Sequence, residues 1–202
     1  MLFAWLCIPL ALADVPATQP TLGPKEALKC FFDALTEGQP DDVAPICVAE
    51  DTDSKALVKD FVDMSASMML LRKQVAARFG PDQLDAITGV MPTNDDVDQM
   101  DEKINDHVAL IVDKFGDPPL RMILQDSRWK LDIADLRQSG RLSGNPHAFV
   151  LGMTGAIQRT TADVNSGRLA SAGTVRDALA AREMRVATDG DSASRHSTTT
   201  AP

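Results

Sequence analysis

The chain has 202 residues, a formal net charge of −9 and a pI of about 4.7. That balance argues against nucleic acid and anionic membrane surfaces as partners, because both need a basic footprint. Aromatics make up 4% and tyrosine is absent, so no site here can rest on a phenol.

Residues 1–13, Met-Leu-Phe-Ala-Trp-Leu-Cys-Ile-Pro-Leu-Ala-Leu-Ala, predict a cleavable signal peptide. Leu2 to Ala13 is uncharged and mostly apolar, and ends in the small-x-small pattern Ala11-Leu12-Ala13. It is shorter than the roughly 20 apolar residues a membrane span needs. No Lys or Arg precedes it, and the bulky Leu6 beside Cys7 is wrong for a lipid anchor. The expectation is an exported protein, periplasmic or extracellular after cleavage near Ala13, with no membrane attachment afterwards. Residues 14–23 hold Pro16, Pro20 and Gly23 and predict a flexible leader.

Helices come next. Pro24 suits a first turn, and Ala27, Leu28, Phe31, Phe32 and Leu35 follow at helical spacing until Gly38. A short helix from Asp41 carries Val43, Ile46 and Cys47. The strongest signal runs from about Asp53 to Phe79. There Leu57, Phe61, Met64, Met68, Leu71 and Val75 form one stripe, capped by Thr52 or Asp53 and ended by Gly80-Pro81. Met64 and Met68 lie on that stripe and are expected to fill core. A short helix with Leu84 and Ile87 ends near Gly89. Asn94 to Asp101 is acidic. As an EF-hand loop it fails at the sixth and twelfth positions, Gln99 and Asn105, so a solvated loop is expected.

Alternation then predicts an antiparallel meander. Ile104, Val108, Leu110 and Val112 share the core face of the first strand. Leu120, Met122 and Leu124 do so on the second, and Trp129, Leu131 and Ile133 on the third. Asp126-Ser127 makes a tight hairpin. His107, Ala109, Ile111 and Ile123 fall on the opposite face, where a helix or a second copy of the chain can cover them. Asn145-Pro146 starts a helix carrying Phe149, Val150, Met153, Ile157 and Val164, closed by Gly167. Thr174 starts another. After about Val186 the composition predicts a disordered tail. The fold class is α+β: N-terminal helices, one of them long, on a three- to four-stranded antiparallel meander over 24–136, then a helical extension over 141–185 and a tail over 186–202.

No catalytic motif stands out. The histidines, His107, His147 and His196, are far apart and match no metal-ligand spacing, and no nucleophile elbow or phosphate-binding glycine pattern appears. No metal or cofactor is expected. His107 and Asp113 are the nearest approach to an acid–base pair, but lie about 20 Å apart along one strand. Cys30 and Cys47 fall on successive predicted helices, and export makes a disulfide between them chemically open; two buried thiols is the other reading.

Two stretches carry a resemblance: Pro24 to Gly38, and Asp126 to Ile133 with its Arg128-Trp129-Lys130-Leu131-Asp132 strand. They resemble the nuclear-transport-factor-two-like superfamily, the cone-shaped fold shared with ketosteroid isomerase and SnoaL-type cyclases. The resemblance covers about residues 24–136 and implies a cavity between sheet and long helix. The family's tyrosine oxyanion donor has no counterpart here, so no catalytic residue carries over. The expectation is a non-catalytic exported module that binds a protein partner or a small apolar ligand, or dimerises through Ile111 and Ile123. The alternative is a pocket enzyme of isomerase, cyclase or hydratase type using carboxylates or His107.

Overall fold

The computed structural model describes residues 22–87, 92–114, 116–142 and 145–197. The signal peptide, most of the leader, Gly89 and the last five residues lie outside them.

Pro24 opens α1 (Pro24–Thr36), where its missing N–H leaves no bond unmade. Leu28, Phe31 and Leu35 are buried along one face. A short α2 (Pro40–Val43) and a 3-10 turn (Ala44–Ile46) lead into β1 (Cys47–Val48). Cys47 therefore sits on a strand, not on the short helix expected for it; Pro45 breaks that helix off.

The long helix is α3 (Thr52–Phe79), 28 residues and about 42 Å. Its stripe, Leu57, Phe61, Met64, Met68, Leu71 and Val75, is buried throughout. Its cap is Asp51, one residue ahead of the expected pair. The Asp51 carboxylate accepts from the Ser54 amide at 2.8 Å and from the Ser54 hydroxyl at 2.6 Å. Those bonds, the hydroxyl's first, hold the carboxyl below its usual range. Phe31 meets Phe61 edge to face at 5.4 Å, joining α1 to α3. The Ser65 hydroxyl donates to the Ala34 carbonyl at 2.6 Å across the same contact.

The acidic stretch is helical. It forms α4 (Asn94–Asp98), with Thr93 and Asp96 in a reciprocal capping box. The signal was present as Thr93 followed three residues later by a carboxylate.

The meander has four antiparallel strands: β2 (Asp101–Asn105), β3 (Val108–Val112), β4 (Leu120–Gln125) and β5 (Arg128–Asp132). β1 adds a fifth strand parallel to β5, giving the order β1-β5-β4-β3-β2. The stretch expected as one first strand is a hairpin, turning at Asp106 and His107. Asp106 takes the left-handed backbone there (φ 56°) without the glycine or asparagine that announces such turns. Asp126 and Ser127 close the β4–β5 hairpin with φ of 52° and 59°, as expected from the sequence.

The faces of β3 are the reverse of the sequence expectation. Ala109 and Ile111 are fully buried, while Val108, Leu110 and Val112 are half-buried on the outer face. Pairing sets this parity: Ala109 lies opposite Met122 and Ile111 opposite Leu120, both core residues of β4. Val-Ala-Leu-Ile-Val is apolar on both faces, so its own alternation cannot choose between them.

β5 runs directly into α5 (Ile133–Gln138). Asp132 caps it through one carboxylate oxygen and binds Arg121 at 2.7 Å through the other. The helices after 140 join the same core as the rest of the chain. Val150, Met153, Ile157 and Val164 of α6 (Pro146–Asn165) and Val175 and Leu179 of α7 (Ala172–Ser197) are buried with α1, α3 and the sheet. α6 lies along α3. The ring of His147 contacts Asp60 at 2.7 Å near one end, and Arg78 donates to the Val164 carbonyl at 2.7 Å near the other. Where a tail was expected after Val186, α7 runs on to Ser197. Val186 of α7 packs where Gly152 of α6 has no side chain.

Candidate functional site

Helices α1, α3, α5 and α6 and the inner face of β4–β5 do not close completely. They leave a cavity of about 240 Å³ that is partly open to solvent. Phe31 and Leu35 come from α1, Phe61 and Met64 from α3, Leu131 from β5 and Met153 from α6. Each is presented by a helical stripe or a strand face that the core already requires, so the cavity is a product of the packing. All but two of its lining residues are apolar, the exceptions being Asp117 and Arg141.

Those two belong to one ion cluster. Arg141 donates to the Pro118 carbonyl at 2.5 Å and to the Asp113 carboxylate at 2.6 Å; Asp117 stands 4.0 Å from the same guanidinium nitrogen. The Asp113 carboxylate is 5% exposed and also accepts from the Asp117 amide. A guanidinium tied to two carboxylates leaves no uncompensated positive charge facing the cavity. Among the described lining residues no other charged side chain faces the cavity.

The structure separates His107 from Asp113. His107 is exposed in the β2–β3 turn beside Asp106, whereas Asp113 follows the far end of β3 and is closed by Arg141. They make no acid–base pair. Ile111 and Ile123 do not share a surface either. Ile111 is fully buried on the inner face, and Ile123 is half-buried on the outer face opposite Lys130.

Cys30 and Cys47 are both free thiols in the structure. Cys30 is exposed on α1, beside an open groove of about 670 Å³ that it shares with Asp33, Glu37, Asp42 and Trp129. Cys47 donates its S–H to the Val43 carbonyl at 3.3 Å. Burial pushes the Cys47 thiol up to about 12. Partial burial, then the Asp33 carboxylate, raises the Cys30 thiol. Reactivity follows the thiolate. Peptide mapping after iodoacetamide treatment of the native protein should find Cys30 modified well before Cys47. Equal labelling would contradict the burial of Cys47.

No protein-family model, curated protein or solved structure matches this chain. The chemistry of the site therefore rests on its geometry. Among the described residues, no group of three or more His, Cys, Asp or Glu side chains is placed to hold a metal ion, and no helix is long and apolar enough to cross a membrane.

The sequence pointed to the cavity walls only as core residues. Arg141 carries no signal in the sequence, because nothing near it in the chain announces a site. Its partners lie 23 and 28 residues away, and only the return of the chain after α5 brings it to them.

Proposed function

We propose that this chain is an exported, non-catalytic module of the cone-shaped nuclear-transport-factor-two-like type that binds a small uncharged apolar ligand between its helices and its sheet. The apolar cavity of about 240 Å³ carries the reading. The order of short helices, long helix and meander supports the family resemblance. The apolar run ending in Ala13 supports export.

Size decides the ligand class. An engineered apolar cavity of about 150 Å³ takes up benzene, whereas pockets for drug-sized molecules start at about 300 Å³. A volume between these fits one or two fused rings, or a short alkyl chain.

Thermal melting in the presence of benzene and indole tests this. A ligand at ten times its dissociation constant adds about 1.4 kcal/mol, a rise of roughly 3–5 °C for a domain of this size. Val150→Phe projects a ring into the space and should abolish the rise while the protein still melts cooperatively. Melting points that ignore both ligands would sink the binding reading. The export half is checked separately: the secreted protein should begin at Asp14.

A further inference from the structure

The second half of α6 faces α7 across an open groove of about 420 Å³, lined by Arg159, Ala162, Asp163, Arg168 and Arg182. Three guanidinium groups thus surround one carboxylate, in a chain whose formal charge is −9. The groove lies at the other end of α6 from Phe149, Val150 and Met153, the residues that helix gives the apolar cavity.

Asp163 organises two of the arginines. One oxygen pairs with Arg168 and the other with Arg182, and Arg182 also donates to the Thr160 hydroxyl at 2.8 Å. The Arg182 bond, more than the Arg168 pair, holds the Asp163 carboxyl below its usual range. Arg159 is one helical turn before Asp163 but does not pair with it. Its guanidinium folds back over Gly155, 3.2 Å from where a β-carbon on that residue would sit. Among the described residues Arg159 has no hydrogen-bond or ion-pair partner. Within the groove's lining three cations face one carboxylate, Asp163.

We propose that the Arg159–Arg168–Arg182 groove binds the phosphate dianion of a small soluble phosphate monoester. The charge matches: a phosphate monoester carries close to two negative charges at neutral pH. The donors match as well. Guanidinium groups offer paired N–H donors that meet phosphate oxygens two at a time. Arg182, held by Asp163 and Thr160, forms the fixed wall. Arg159 and Arg168 are exposed on the other sides and can turn their guanidinium groups onto the phosphate. The acidic remainder of the chain disfavours a phosphate embedded in an anionic membrane, which makes the soluble monoester the occupant.

Isothermal titration of the full-length protein with inorganic phosphate and with phenyl phosphate, at ionic strength held constant with sodium chloride, tests this. Saturable binding of both is expected. Arg159→Gln and Arg168→Gln should each raise the dissociation constant roughly tenfold, as loss of a charge-assisted hydrogen bond does. Both side chains are exposed, so the variants should melt like the parent in chloride, which separates lost binding from lost folding. Heats that chloride alone reproduces, or variants that keep the parent's affinity, would overturn the site. Co-sedimentation with vesicles of phosphatidylcholine and phosphatidic acid, abolished in the same variants, would overturn the soluble assignment in favour of a lipid headgroup.

Discussion

Ile111→Asp should leave no cooperatively folded protein at 25 °C, whereas Ile123→Asp, twelve residues on, should fold and melt close to the parent. Ile111 is fully buried opposite Leu120. The substitution forfeits about 1.5–3 kcal/mol of side-chain burial and places a carboxylate in an apolar wall, which costs several kcal/mol more even if it protonates. The sum reaches the whole stability of an ordinary domain, about 5–15 kcal/mol. Ile123 points from the outer face and lies opposite Lys130. A carboxylate there faces a cation across the strands, a pairing worth a fraction of a kcal/mol, so the net change should stay within about 1 kcal/mol. Far-UV circular dichroism and urea titration measure both. The opposite result, a folded Ile111→Asp and an unfolded Ile123→Asp, would mean that β3 presents its even residues to the core. Light scattering of Ile123→Asp adds a second reading: loss of a dimer present in the parent would assign the outer face to self-association.

That pair of positions marks where sequence reasoning stops. The stripe of α3 was legible because its period is local: one face of one helix collects Leu57 to Val75 whatever else the chain does. The Asp126-Ser127 hairpin was legible too, since a short polar pair between two alternating runs has few other uses. β3 was not legible. Its five apolar residues suit either face, and its neighbour β4, with Arg121 between Leu120 and Met122, decides for it. The β1–β5 pairing joins Cys47 to Leu131 and Val48 to Asp132 across more than eighty residues, and a two-residue strand has no period to read. α5 hid behind Asp132, which ends a strand and caps a helix at once. The cavity is a gap left where α6 returns over α3, so no single segment encodes it. The groove arginines show the same limit, because Arg159, Arg168 and Arg182 come from α6, the following turn and α7.

The second large effect belongs to Gly38. Gly38→Ala should cost about 3 kcal/mol or more in urea unfolding, while Gly140→Ala should cost about 1 kcal/mol. Both glycines have positive φ, 74° and 79°, so an alanine at either pays the left-handed strain of roughly 1–2 kcal/mol. They differ in what stands nearby. A β-carbon on Gly140 meets nothing within 4 Å, whereas one on Gly38 falls 2.3 Å from the Met69 amide nitrogen and 2.4 Å from its α-carbon. Those are backbone atoms in the middle of α3 and cannot turn aside as a side chain would. Relief requires α1 and α3 to move apart. That movement strains the Phe31–Phe61 contact and the Ser65 bond to Ala34, and it widens the cavity that Phe31, Leu35, Phe61 and Met64 line. Gly38→Ala should therefore also shrink the thermal shift given by indole, because a looser wall makes fewer contacts with the same ring. Gly140→Ala should leave that shift intact. If both variants lost the same stability and kept the same shift, the close approach of Gly38 to α3 would not be what spaces the two helices.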